Sequence, residues 1–266
     1  MLVKLLAYNL QHLIKPILIC AGLTALTALI FYFTQYDTEF ITHDTWTEEI
    51  IHASPFIVFV HGLFYNLYAI CGVVLTVITL IRIWSLFQKN LYSDEAYLTY
   101  TLPIKRHIIW ASHCLAALIA IIICMTTILL SNLCFNQDFI SAPFQFGADH
   151  EPLLNTISYF CLILQLSFIA VCGFLGIILG HRHTKQTELF SRLWGFIVFT
   201  LGEALLLLTI FLFTKLNPAM QEIFQQARPS IECLQSLITL VAIVYAIYLL
   251  ILYPVCQKLL DSADLN

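Results

Sequence analysis

The chain has 266 residues, of which 60% are hydrophobic and only 11% are charged, and its mean hydropathy is +0.88. Soluble domains carry about 25% charged residues, so this composition excludes an ordinary soluble protein and predicts an integral membrane protein. The formal net charge of −4 combines two oppositely charged groups of loops and gives no indication of nucleic-acid binding.

Six apolar blocks are long enough to cross a bilayer, because a hydrocarbon core of roughly 30 Å needs about 20 apolar residues per helix. Backbone amides cannot stay unpaired in lipid, so each block is predicted to be helical. The expected fold class is therefore all-α, with one transmembrane domain over residues 1–266. The predicted spans are 17–36, 56–83, 108–135, 157–179, 193–214 and 234–253.

The charges of the loops predict the orientation. Ten of the 12 Lys and Arg residues lie in the N-terminal segment, the second and fourth loops and the C-terminal segment, whereas the other loops carry mainly acidic residues. Basic residues stay on the cytoplasmic side of a membrane, so both termini are expected there. The first apolar block is too long for the core of a signal peptide, and no cleaved leader is expected.

Residues 1–15 precede the first span and show helical periodicity. Lys4, Tyr8, Gln11 and Lys15 recur at helical spacing. The apolar side is formed by Leu2, Leu6, Leu10, Leu13 and Ile14. This pattern predicts an amphipathic helix that lies in the membrane interface. Pro16 suits the turn into the bilayer. The alternative is a simple N-terminal extension of the first span.

The second loop is predicted to contain a short helix. Span two is expected to continue below the membrane to Asn90, and a separate helix of about two turns is predicted over 93–102. Ser93 is a good N-cap, and Asp94 and Glu95 favour the positive end of the helix dipole. Pro103 stops the helix. This helix offers three apolar or aromatic side chains to the cytosol: Tyr97, Leu98 and Tyr100.

The run from Asn90 to Pro103 resembles the stretch after the second span in small bacterial type-2 ABC exporter permeases. Those proteins show a Lys/Asn-Leu pair, an acidic pair, Tyr-Leu-Thr and then Leu-Pro, and they are similar to this chain in topology throughout. The resemblance implies that helix 93–102 is a coupling helix seated in a cleft of a separate ATPase subunit. His113 departs from the family, which often has Lys at this place. The positions implied to contact the ATPase are Asp94, Glu95, Tyr97, Leu98 and Tyr100.

The resemblance also implies the partners and the activity. Two copies of this chain, or one copy with a paralogous permease, would assemble with two ATPase subunits that bind ATP and Mg. The sequence has no G-x-x-x-x-G-K-[ST] motif, so ATP hydrolysis is expected in the partner, and no cofactor or metal is expected here. The implied function is export of an apolar or amphipathic substrate, with a small membrane-active peptide as the leading candidate, across a bacterial cytoplasmic membrane.

Two other classes stay open from the residues alone. A secondary transporter would show more ionisable groups at mid-depth and a repeat with broken helices. An intramembrane enzyme would need several polar catalytic groups at matching depth. A neighbouring gene for an ATPase, or for a second six-span protein, distinguishes these possibilities.

Glu203 is the clearest carboxylate inside a predicted span. It lies 11 residues beyond Arg192, which places it about 16 Å into the bilayer at 1.5 Å per residue. A charge at that depth is expensive, so the group must be neutral, paired or in a watery cavity. Glu203 is therefore either a contact in the substrate path or gate, or a neutral hydrogen-bonding group with a partner such as Asn66 or Gln165.

Other polar residues inside spans are candidates for the same path. Polar groups that merely bond to one another between helices explain them almost as well. Gly173, Gly176 and Gly180 in span four predict close packing against another helix. The further path candidates are His61, Tyr65, Asn66, Tyr68 and Gln165.

Overall fold

A computed structural model of the chain describes residues 2–42, 55–92, 106–133, 152–183, 187–217 and 231–262. Within these ranges the chain is helical and forms no strand. The six helices are α1 (Leu2–Thr42), α2 (Pro55–Tyr92), α3 (Arg106–Leu133), α4 (Pro152–His183), α5 (Thr187–Leu216) and α6 (Ile231–Ser262).

Each of the six helices contains a stretch that is long and apolar enough to cross a membrane, with mean hydropathies between 2.1 and 2.7. The prediction of a multi-pass helical membrane protein is therefore confirmed. Helix α2 continues to Tyr92, so the helix extends past Ile83 as expected, and the position of this extension below the membrane stays a prediction. The coupling helix predicted over 93–102 lies outside the described residues, as do Asp94, Glu95, Tyr97, Leu98 and Tyr100.

Helix α1 runs without a break through 41 residues and includes Pro16. Lys4, Tyr8, Gln11 and Lys15 are all exposed, as the helical periodicity predicts. The segment 1–15 is continuous with the first span, which agrees with the alternative of an N-terminal extension. Its placement in the membrane interface stays a prediction.

The chain divides into two compact units, and helices α1, α2 and α3 contribute residues to both. The first unit comprises Met1–Leu13, Leu80–Ile121 and Phe146–Asn266. In it, α4 packs against both α5 and α6. The core between these three helices is a cluster of buried residues: Phe168, Cys172, Leu206, Val244 and Tyr245.

Three glycines of α4 bring this helix close to its neighbours. A Cβ on Gly176 would lie 2.5 Å from the backbone nitrogen of Gly195 and 2.5 Å from the carbonyl oxygen of Ser191, both on α5. A Cβ on Gly180 would also meet Ser191, and one on Gly173 would meet the indole ring of Trp84. The close packing predicted for these glycines is confirmed, since only glycine permits such contacts.

The second unit comprises Ile14–Thr79 and Ile122–Gln145. Ala28, Phe64 and Tyr68 pack together in it. Three buried threonines in it donate hydrogen bonds within their own helices: Thr24, Thr27 and Thr79. The bond from Thr79 to the carbonyl oxygen of Leu75 is 2.7 Å long. Threonines that bond in this way introduce no unpaired polar group into an apolar surrounding.

Candidate functional site

The first unit contains a cavity of about 620 Å³ between α2, α4 and α5. This volume lies in the range of sites that hold small molecules. The cavity is lined mainly by apolar side chains, with a few polar ones among them. The residues that the following description uses are Ile81, Trp84, Gln88, Cys172, Arg192 and Phe199.

The lining of the cavity changes from polar to apolar along its length. Gln88 and Arg192 line it where α2 ends and α5 begins. We call this the basic end of the first unit, because Lys89 and Arg106 also lie there. Ile81 and Phe199 line the cavity seven residues away on the same two helices. Seven helical residues span about 10 Å, so the lining changes from polar to apolar over this distance along α2 and α5.

Trp84 forms one wall of the cavity. Its indole Nε1 donates a 3.1 Å hydrogen bond to the carbonyl oxygen of Ala170 on α4. The ring lies directly over Gly173, where a Cβ would collide with it. The glycine and the hydrogen bond together fix the indole against α4, with its polar group satisfied.

Glu203 pairs with a tyrosine of α6. The hydroxyl of Tyr245 donates a 3.0 Å hydrogen bond to Oε1 of Glu203. Tyr245 is only 2% exposed, whereas Glu203 is half-buried. One turn further along α6, the hydroxyl of Tyr248 donates to the carbonyl oxygen of Gly202 at 3.3 Å. Two tyrosines of one helix therefore hold adjacent positions of α5.

The glutamate and the cavity belong to the same packed region. Glu203 follows Phe199 by one helical turn, and Phe199 lines the cavity. Cys172 also lines the cavity, and it belongs to the buried cluster that contains Tyr245. A change in the packing of Cys172 or Phe199 would therefore act on both the cavity and the Glu203–Tyr245 pair.

The other path candidates are distributed over both units. Gln165 is half-buried on α4, one turn before Ile169 of the cavity lining. In the second unit, Asn66 donates a 2.7 Å hydrogen bond to Gly62 of its own helix, and Tyr68 is buried against Ala28. His61 and Tyr65 belong to α2, and their side chains lie outside the described structure.

Tyr245 was not anticipated from the sequence as a partner of Glu203. A usable signal existed, because Tyr245 and Tyr248 stand one turn apart in an apolar span, where a phenol needs a hydrogen-bond partner. Little in the sequence indicates the cavity. Trp84 falls in the predicted extension of span two, and nothing in the sequence indicates that it lies over Gly173.

A buried chain of amides and hydroxyls connects three helices at the basic end. Asn90 donates a 3.0 Å hydrogen bond to Oδ1 of Asn9. Asn9 donates through Nδ2 to the hydroxyl of Ser112 at 3.3 Å, and Ser112 donates to the carbonyl oxygen of Ile109 at 2.7 Å. Each of these three donors has an acceptor, so Asn9, Asn90 and Ser112 connect α1, α2 and α3 through hydrogen-bonded buried groups.

The residues that flank segment 93–105 make two more long-range contacts. On the near side, the ring of Tyr92 stacks on that of His181 at the end of α4, with centroids 4.0 Å apart and an interplanar angle of 22°. On the far side, Arg106 donates a 3.2 Å hydrogen bond to the carbonyl oxygen of Leu260 near the end of α6. Both sides of the segment are thus fixed to other helices of the first unit.

His113 lies in an aromatic cluster at the same end. It is 4% exposed, and its ring packs edge to face on that of Phe87 with centroids 5.4 Å apart. Phe87 also contacts Trp110 and Phe174. A lysine at this position would bury its ammonium group among aromatic rings.

The described residues contain no group of three or more His, Cys, Asp or Glu side chains that could hold a metal ion. The fold and the site define a multi-pass helical membrane protein with a cavity between α2, α4 and α5. No protein-family model, curated protein or solved structure matches the chain.

Proposed function

We propose that the chain is the transmembrane subunit of an ATP-driven exporter of the bacterial cytoplasmic membrane, with both termini in the cytoplasm. The proposal is supported by the resemblance of residues 90–103 to type-2 exporter permeases and by six helices able to span a membrane. It is also supported by the contacts that the residues on both sides of segment 93–105 make with other helices.

The observation that carries the proposal is the anchoring of segment 93–105 on both sides. Asn90 bonds to Asn9 of α1, Tyr92 stacks on His181 of α4, and Arg106 bonds to the end of α6. A partner that pushes or pulls on the segment would therefore move several helices through direct contacts. Transmission between two sites requires such an element, whose arrangement both sites influence.

In the proposed cycle, the coupling helix over 93–102 docks on the ATPase through five of its residues. Closure of two ATPase subunits around ATP and Mg moves this helix, and α2 and α5 change their packing in response. A second copy of the chain, or a paralogous permease, completes the transmembrane pathway. The docking residues are Asp94, Glu95, Tyr97, Leu98 and Tyr100.

The proposed substrate is apolar or amphipathic, with a small membrane-active peptide as the leading candidate. The spans offer few charges that would compensate a hydrophilic substrate during passage. Glu203 is the main exception, and its carboxyl group accepts a hydrogen bond from Tyr245 of α6.

The test compares the same substitution at two leucines, one in the predicted coupling helix and one at the start of α5. Leu98→Asp places a charge on the proposed coupling helix, and Leu189→Asp makes the same change at the start of α5, where Leu189 is 64% exposed. Each variant is purified together with the candidate ATPase subunit. We expect Leu98→Asp to lose the ATPase subunit and Leu189→Asp to retain it.

An intact complex with unchanged ATP hydrolysis in Leu98→Asp contradicts the coupling role. Substrate movement by the chain alone in liposomes, without ATP, contradicts the wider proposal and favours a secondary transporter.

A further inference from the structure

The cavity has the polarity of a site for a membrane lipid. Arg192 and Gln88 provide N–H donors at its basic end, and Ile81, Phe196 and Phe199 supply apolar surface over the remaining length. None of the described side chains that line it is acidic. An anion is therefore favoured at one end and a hydrocarbon chain along the rest.

The depth of these residues matches that of a lipid in a leaflet. The apolar stretch of α5 begins at Leu189, so Arg192 lies about 5 Å along it and Phe199 about 15 Å along it, at 1.5 Å per residue. The first depth corresponds to the headgroup region and the second to the acyl chains of a bilayer whose hydrocarbon core is roughly 30 Å thick.

Two lining side chains are also accessible from the surface of the helices. Ile81 is 53% exposed and Phe196 is 68% exposed. In a membrane these exposed faces meet lipid, so a lipid chain can enter the cavity from the side without leaving the bilayer.

We propose that this cavity binds one anionic phospholipid of the leaflet at the basic end, with its phosphate at Arg192 and Gln88 and an acyl chain along Ile81, Phe196 and Phe199. The planar guanidinium of Arg192 presents five N–H donors that suit a phosphate, so it can bind the headgroup while it keeps other contacts. Inorganic phosphate is a poorer match, because it leaves the apolar length of the cavity without an occupant. The proposal does not depend on the exporter function.

Trp84 gives a direct probe, because its indole lines the cavity. The full chain is reconstituted in phosphatidylcholine vesicles that contain a small fraction of either brominated phosphatidylglycerol or brominated phosphatidylcholine. Bromine quenches tryptophan fluorescence at short range. The Trp84 signal is obtained by subtraction of the spectrum of Trp84→Phe. We expect the anionic lipid to quench Trp84 with about a fivefold higher apparent affinity, the effect of one basic residue on an anionic lipid.

Three variants show whether the preference belongs to this site. Arg192→Gln removes the positive charge from the cavity. Gln88→Glu adds a carboxylate that repels the lipid phosphate, with little change of shape. Either variant tests the site if the other does not fold. Arg82→Gln is the control, because Arg82 is exposed on α2 and does not line the cavity. We expect both cavity variants to lose the preference and Arg82→Gln to keep it.

Several results would overturn the proposal. One is equal quenching by the two brominated lipids in the unmodified chain. Another is an equal loss of preference in Arg82→Gln, which would indicate general attraction to the membrane surface. Displacement of the lipid by millimolar inorganic phosphate would assign the polar end to a soluble anion instead.

Discussion

The hydroxyl of Tyr245 and Oε1 of Glu203 are 3.0 Å apart, and this hydrogen bond joins α6 to α5 near the middle of their apolar stretches. A carboxyl group at such a depth needs a partner or water. The tyrosine provides the partner, and its own position is fixed in the buried cluster with Phe168 and Cys172. The bond thus connects the one deep carboxylate of α5 to the packed core of the first unit.

Loss of this bond is expected to cost little stability. Tyr245→Phe should lower the free energy of unfolding by about 0.6 kcal/mol, and by at most about 1.7 kcal/mol, the range measured for hydrogen bonds between membrane helices. Glu203→Gln keeps a carbonyl oxygen as acceptor and should cost less. Thermal unfolding in detergent measures both, and the double variant gives the coupling between them.

Thr200→Val is the control for this pair, because the Thr200 hydroxyl bonds within its own helix, one turn away from Glu203. If Tyr245→Phe is as stable as Thr200→Val, the hydrogen bond between Tyr245 and Glu203 does not contribute to stability. Transport separates the two interpretations of Glu203. Unchanged transport with reduced stability in Glu203→Gln and Glu203→Ala indicates a structural group, and lost transport at normal stability indicates a path or gate.

Asn9→Leu is expected to destabilise the first unit by about 1–3 kcal/mol. The substitution removes the acceptor of Asn90 and the donor to Ser112, and both of these remain buried. An unsatisfied buried polar group costs about this much. The matched control is Asn66→Leu, because Asn66 bonds only within its own helix and is exposed. Similar melting temperatures for the two variants would show that the buried chain contributes little.

Two glycine substitutions should have opposite effects. In Gly176→Ala the new methyl group would lie against the backbone of α5, so the helices must separate and stability should fall by about 1–3 kcal/mol, as in other overpacked sites. In Gly72→Ala nothing lies within 4 Å of the new Cβ. Alanine has the higher helix propensity, so this variant should be neutral or slightly more stable. A tolerated Gly176→Ala, with an unchanged unfolding curve, is inconsistent with the described contact.

His113→Lys should lower the free energy of unfolding by several kcal/mol or prevent folding. The permeases that the chain resembles often carry Lys at this place. The ammonium group would be buried among Phe87, Trp110 and Phe174 without a partner of opposite charge, and an isolated buried charge is expensive. His107→Lys is the control, since His107 is exposed one and a half turns earlier on α3. The two variants are compared by the yield of monodisperse protein and by its melting temperature. Equal values for His113→Lys and His107→Lys would contradict the buried position of His113.

The helices were predictable from the sequence because the bilayer imposes a single strong requirement. An apolar block of about 20 residues in lipid must be helical, so the six helices follow from composition and length. The close contact at Gly176 was also predictable, because small residues four apart favour helix packing.

The contacts between side chains of different helices could not be predicted from composition and length. Glu203 is recognisable in the sequence as a polar residue in an apolar span, but its hydrogen-bond partner lies 42 positions away on α6. Asn9 belongs to the predicted amphipathic segment 1–15, and nothing in the local sequence indicates that it is buried between Asn90 and Ser112. The fit of Trp84 over Gly173 is a contact between α2 and α4 that the sequence of neither helix indicates by itself.

The most direct test of the exporter proposal is ATP hydrolysis by the candidate ATPase in liposomes, measured with this chain, without it, and with the Leu98→Asp variant. We expect hydrolysis to rise in the presence of the chain, to respond to added substrate and to return to the level of the isolated ATPase with Leu98→Asp. Hydrolysis that is the same in all three samples, together with substrate movement in the absence of ATP, would contradict the proposal.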